Sequence, residues 1–172
     1  VNSLKFKTSP FRAGVRIPKY IPDGSLQIIQ DTGSGGSWPV STDRVTWALG
    51  AEAVLNNLEG ARRKAFADYA YRVLRGTIEA DRAAIFDPAD GLYTGEQSFL
   101  DWRDQTYAPY VLKDLTQIAQ SKALSTNVVY YRALRLASRL AAEQKSPEIA
   151  RKYAAWAQDL KAAIKRMFWL PD

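Results

Sequence analysis

The chain contains no cysteine and no histidine, and its single methionine is Met167. Without cysteine there is no disulfide, no thiolate nucleophile and no zinc site of the cysteine type. Without histidine there is no Ser-His or Cys-His catalysis and the commonest metal ligand is missing, so acid–base chemistry here rests on Asp, Glu, Lys or Tyr. No metal site and no cofactor are expected. Long apolar runs are missing as well. The longest are a few residues, far short of the ~20 that cross a bilayer, and no charged-then-apolar leader opens the sequence, so no membrane partner is expected. The first residue is Val1, which reads as a processed or excised piece of a longer polypeptide.

The formal net charge is +6, but Lys and Arg alternate with acids in every helical segment and no basic stripe stands out. Nucleic acid is therefore not an expected partner. With 172 residues, 47% of them apolar and 24% charged, the chain has room for one domain with a real core.

Residues 1–40 carry Pro10, Pro18, Pro22, Pro39 and the run Asp31-Thr32-Gly33-Ser34-Gly35-Gly36-Ser37 without a sustained period, and read as an irregular arm or linker. The glycine run lacks the Gly-Lys-Ser/Thr ending and the preceding strand of a phosphate-cradling loop. From residue 41 onward the pattern is helical. Ser41-Thr42-Asp43 offers caps, and Trp47, Ala51, Val54, Leu55 and Leu58 predict a helix over about 43–58, with Gly60 at its end. Phe66, Ala70, Val73, Leu74, Thr77 and Ile78 predict a second over about 61–85, which makes a helical hairpin with the first.

A third helix is predicted over 110–123. A fourth, capped by Ser125-Thr126-Asn127, carries Val128, Tyr131, Leu134, Ala137 and Ala141 on its apolar face to about 144. Ser146-Pro147 opens a fifth through Tyr153, Trp156, Leu160, Ile164 and Phe168. No strand is expected between 41 and 172. A weak repeat relates Arg63–Ile78 to Arg151–Ile164, each followed by an aromatic and then by proline with aspartate, as in a stack of helical hairpins.

Between the second and third helices lies Asp87–Asp104, with five acids, three aromatics and one arginine and no period. Carboxylates that accept hydroxyl hydrogen bonds or move protons, with aromatic faces for pyranose rings, suit a carbohydrate site. Tyr93, Trp102 and Tyr107 lie off any helical period and are candidates to stack on sugar, as is Trp38. Trp47, Tyr69, Trp156 and Phe168 fall at helical spacing and are expected in the core.

Trp38-Pro39-Val40-Ser41-Thr42-Asp43-Arg44, Asp90-Gly91-Leu92-Tyr93 and above all Gly95-Glu96-Gln97-Ser98-Phe99-Leu100-Asp101-Trp102-Arg103 resemble the six-hairpin glycosidases, a superfamily that includes trehalases, rhamnosidases, glucoamylases and processing glucosidases. The resemblance covers roughly residues 36–172. It implies an all-α fold of helical hairpins from an (α/α)6 toroid, and inverting hydrolysis in which one carboxylic acid protonates the glycosidic oxygen and another, on a later hairpin, activates water. Asp101 best matches the general acid and Glu96 is the second choice. Phe99 and Trp102 lie beside the acid to raise its pKa, and Arg103 would bind sugar hydroxyls or fix a carboxylate. Asp43 and Arg44 would line the same end of the toroid.

One hairpin takes roughly 55 residues and six take roughly 330, so this chain has room for two or three. The toroid is expected to be incomplete here and the general base to lie outside the chain. Further residues of the same polypeptide, or another copy, would complete it, and the chain alone is expected to be inactive. Two bland readings stand beside these. Asp101 and Asp43 both suit helix N-caps, and the whole pattern also suits a non-catalytic helical-repeat domain that binds a protein partner or a carbohydrate.

Overall fold

A computed structural model describes residues 1–11, 22–29, 43–95 and 115–169. Helices dominate. After a short N-terminal helix α1 (Asn2–Phe6), a 3-10 turn at Asp43–Thr46 leads into α2 (Trp47–Asn56), followed by α3 (Gly60–Ala84), α4 (Leu115–Gln120), α5 (Leu124–Glu143) and α6 (Pro147–Phe168). The apolar periods account for these elements. Trp47, Ala51 and Leu55 of α2 are buried, and Phe66, Ala70, Val73, Leu74, Thr77 and Ile78 of α3 are all buried as their spacing predicts.

Helix α5 is the centre of the packing, with α6, α3 and α2 all laid against it. Three residues, Gln144-Lys145-Ser146, turn α5 into α6, with Pro147 at the first helical position where its missing N–H costs nothing. Asn57-Leu58-Glu59 likewise folds α2 back on α3. Gln144, just past the end of α5, meets Asp68 of early α3, and Tyr130 of early α5 meets Asp81 of late α3, so these two helices are antiparallel. Accordingly α2 and α5 run one way and α3 and α6 the other, in two successive hairpins. Leu74, Ile78, Leu134, Leu140 and Leu160 fill the space between them with 1% exposure or less, each contributing about 1.5–3 kcal/mol by burial.

The arm is folded onto this stack where it is described. Trp47 Nε1 donates to the Leu4 carbonyl, Thr8 bonds the Tyr69 hydroxyl, and Ile28 is buried with its N–H on Thr77 Oγ1 at 2.9 Å. Leu26 N–H donates to the Arg72 carbonyl of α3 at 3.0 Å. This close approach depends on Gly76, because any Cβ there would collide with the Leu26 carbonyl.

Several expectations are corrected. A two-stranded antiparallel hairpin, β1 (Phe86–Asp87) with β2 (Leu92–Tyr93), follows α3 where no strand was expected. It is too short to show an alternating pattern in sequence. Gly60, expected to end the first helix, opens α3 with φ +55°. Val128 is 42% exposed, and the buried face of α5 is carried by Val129, Tyr130, Ala133, Leu136 and Leu140 together with Leu134, Ala137 and Ala141. Trp156, Tyr69 and Phe168 pack against the core as their spacing predicts, each half-buried. Arg82 lies 3.3 Å from the Phe86 ring centroid and 4.6 Å from that of Trp156, so the indole packs on a cation.

Candidate active site

The end of the stack where α3 finishes and α5 begins collects the charged and aromatic side chains. Asp81, on the last turns of α3, is fully buried and accepts from the Tyr130 hydroxyl of α5 at 2.8 Å and from the Arg44 guanidinium. Arg44 leaves the 3-10 turn ahead of α2 and also donates to the Ile28 carbonyl at 2.8 Å. One buried ion pair thus joins the arm, α2, α3 and α5. A carboxylate at this depth is tolerable only with such partners. Its place is legible in retrospect, since Leu74, Thr77, Ile78 and Asp81 share one helical face.

Beyond Asp81 the hairpin turn is held by its own acids. Asp87 Oδ1 accepts from Ala89 N–H and Asp90 Oδ1 from Leu92 N–H. Gly91 supplies φ +81°, which an L side chain rarely adopts. Lys122, arriving from the far side of the connection, donates to both Asp87 Oδ2 and Asp90 Oδ2. The hydrogen bond from Lys122, helped by the Ala89 N–H, holds the Asp87 carboxyl below the usual carboxylate value. Partial burial pulls the Lys122 ammonium down, but its bonds to Asp87 and Asp90 outweigh this and leave it raised. Two of the five loop acids, Asp87 and Asp90, are therefore taken up in fastening Lys122.

Tyr93, expected to face sugar, is instead a core residue with 0% exposure. Its ring stacks on Tyr130 at 3.9 Å with 6° between planes, and the Phe86 edge meets it at 5.2 Å. Burial pushes its hydroxyl well above the usual tyrosine value, against the pull of Arg82. Arg44, the other described candidate with a described side chain, is committed to Asp81 at this same end of the stack. Its described contacts are with protein.

Asn127 carries a role that periodicity and capping patterns do not reveal. Expected as part of a helix cap, it lies fully buried in the first turn of α5 and clamps the Tyr93 backbone. Tyr93 N–H donates to Asn127 Oδ1 at 2.8 Å, and Asn127 Nδ2 donates to the Tyr93 carbonyl at 3.0 Å. Two residues later Gly95 N–H donates to the Ser121 carbonyl at 2.8 Å and Ser121 Oγ to the Gly95 carbonyl at 2.9 Å. The chain therefore departs at Gly95 and returns at Ser121 through a single fastened stem.

Glu96, Asp101, Trp102, Arg103 and Tyr107 all fall between those two points and lie outside the described residues, as does Trp38; Asp43 opens the 3-10 turn, with its side chain outside the description. Among the described residues no group of three or more acids is placed to hold a metal ion, and no helix is long and apolar enough to cross a membrane.

Successive antiparallel hairpins, with a long stemmed connection at one end, are the architecture of a helical-hairpin toroid domain. The family model described as bacterial alpha-L-rhamnosidase six-hairpin glycosidase domain matches residues 64–172, from the first turns of α3 through the stemmed connection and α6 to Asp172. The chain belongs to this family, a family of glycoside hydrolases. No curated protein and no solved structure matches it.

Proposed function

We propose that this chain forms part of an inverting glycosidase, acting on an α-linked glycoside, with Asp101 as the general acid that protonates the leaving oxygen. The observation that carries the reading is the stem. Asn127, Ser121 and Lys122 fasten both ends of the 96–120 connection to the start of α5, beside the buried Arg44–Asp81 pair. A general acid has to be held to within a fraction of an ångström of its oxygen, and a loop rooted in a fixed stem does this better than one free at its base. Phe99 and Trp102 on either side of Asp101 would supply the apolar surroundings that raise a carboxyl pKa, and Arg103 would bind sugar hydroxyls. Glu96, next to the stem, is the second choice for the acid; Trp38, Tyr107 and Asp43 are proposed to contact the sugar.

The second carboxylate, which activates water, is proposed to lie in hairpins beyond the two described here, supplied by further residues of the polypeptide or by another copy. The family's name points to rhamnosides as the first substrates to try. The test is hydrolysis of α-L-rhamnosides and other α-linked disaccharides and aryl glycosides by the full-length polypeptide and its Asp101→Asn variant. Turnover that falls by about two orders of magnitude or more in the variant, with sugar binding retained, supports the assignment. Unchanged turnover discards Asp101, and absence of both turnover and binding on every sugar favours a protein-interaction domain.

A further inference from the structure

The spread of Lys and Arg along the chain conceals a cluster that folding assembles. Arg132, Arg135 and Arg139, at positions i, i+3 and i+7, share the one exposed face of α5, and with Tyr131 and Glu52 of α2 they line a concave pocket of about 300 Å³. That is the small end of the range for ligand sites. Among the described residues Glu52 is the only acid lining it. It takes Arg132 at 2.6 Å and Arg139 at 3.4 Å, while Arg135 donates to the Tyr131 hydroxyl at 3.0 Å. Among the described residues lining it three guanidinium groups face one carboxylate, and Glu143, whose charge Arg139 also feels, is already taken up by Arg63. Like charges at i and i+4, as at Arg135 and Arg139, repel along a helix. The cluster thus costs stability unless another negative group completes it.

Position adds to the charge. The remaining arc of α5 is buried against α2, α3 and α6, and the exposed arc runs from Leu124 and Val128 at the stem to these arginines farther along. Arg132 lies roughly 12 Å along the helix from Leu124. Arg132 and Arg139 keep 54% and 46% of their side chains exposed, so their remaining fork donors are open to a ligand. Guanidinium forks match planar or tetrahedral oxyanions with paired hydrogen bonds.

We propose that this face of α5 binds the carboxylate or sulfate of an acidic sugar within the glycan, an inference that rests on the glycosidase reading and names its substrate class. The test needs no turnover. The 15N-labelled chain is titrated at low salt with a uronate-bearing oligosaccharide, with a neutral oligosaccharide of equal length and with sodium sulfate, while the arginine side-chain resonances are followed by NMR. The same titrations are run on Arg135→Gln and on Arg151→Gln, which removes an exposed charge from α6.

The expected result is that the acidic sugar shifts the three arginines and binds at least about tenfold more tightly than the neutral one, that Arg135→Gln weakens it by about tenfold, and that Arg151→Gln does not. Sulfate binding as tightly as the uronate would make the site one for a free anion and remove the sugar from the proposal. Undisturbed arginine resonances, or equal weakening by Arg151→Gln, would overturn it entirely. Loss of the Asp101 assignment would leave these titrations unchanged, so the two failures are distinguishable.

Discussion

Each end of the α3–α5 pair is closed by an arginine and a carboxylate, and the two closures differ in burial. At the stem end Arg44 and Asp81 have side-chain exposures of 8% and 0%, with Tyr130 as a third member. At the opposite end Arg63 meets Glu143 through two parallel bonds of 2.9 Å, with 37% and 30% of the side chains exposed. The chain nearby differs in the same sense. Three residues make the α5–α6 turn at the Arg63 end, whereas the stem end carries the whole connection between Ile85 and Ala123. Long connections in compact domains are usually functional, and here the long one lies at the end with the least hydrated ion pair among the described residues. The contrast separates an end that only reverses the chain from an end that holds something in place.

The largest effect should come from breaking the buried pair. Arg44→Ala removes the guanidinium from the buried Asp81 carboxyl, and should cost about 3–5 kcal/mol in urea unfolding; a cost below ~1 kcal/mol would mean the pair is not the root of this end. Next comes Asn127→Ala, which strips partners from the Tyr93 N–H and carbonyl in a fully buried site and should cost about 2–4 kcal/mol. Amide exchange at Tyr93 and Gly95 should then quicken before exchange at Ile78 does. Arg63→Ala at the far end should cost no more than about 1 kcal/mol, because exposed pairs are screened and entropically expensive.

The far end also predicts a pH effect with a defined sign. The hydrogen bond from Arg63 lowers the Glu143 pKa from its ordinary 4.5, as Lys122 lowers that of Asp87 from 3.8. Folded values below unfolded ones contribute stability above those pH values, and it is lost as pH falls through the folded ones. Unfolding midpoints should therefore drop below about pH 4.5, slightly less steeply in Arg63→Ala. The smallest change is a gain. Lys145 holds φ +55° in the α5–α6 turn, so Lys145→Gly should stabilise by about 0.5–1 kcal/mol in thermal unfolding.

The helices were legible because their apolar residues keep a 3.6-residue period over many turns, as α3 shows from Phe66 to Ile78. On α5 the sequence offers Val128 and Val129 side by side, and only packing against α2, α3 and α6 decides which is buried. Tyr93 was misjudged for a related reason. A tyrosine in an aperiodic stretch looks free, but β2 is two residues long and delivers it into the core against Tyr130. Asn127 and Lys122 act through partners more than thirty residues away in sequence, a relation that periodicity does not encode. Asp81 was the accessible clue, an acid on an apolar helix face.

The central claim, that a loop acid rooted in this stem protonates the leaving oxygen, is tested most directly by leaving-group dependence in Asp101→Asn of the full-length polypeptide. The measurement is kcat/KM for a pair of glycosides, one with an alkyl leaving group and one with a dinitrophenyl group. Protonation matters for the poor leaving group and hardly at all for the good one. The account predicts a loss of about 10²-fold or more on the alkyl glycoside with the dinitrophenyl glycoside nearly unaffected; equal losses on both, or none on either, would contradict it.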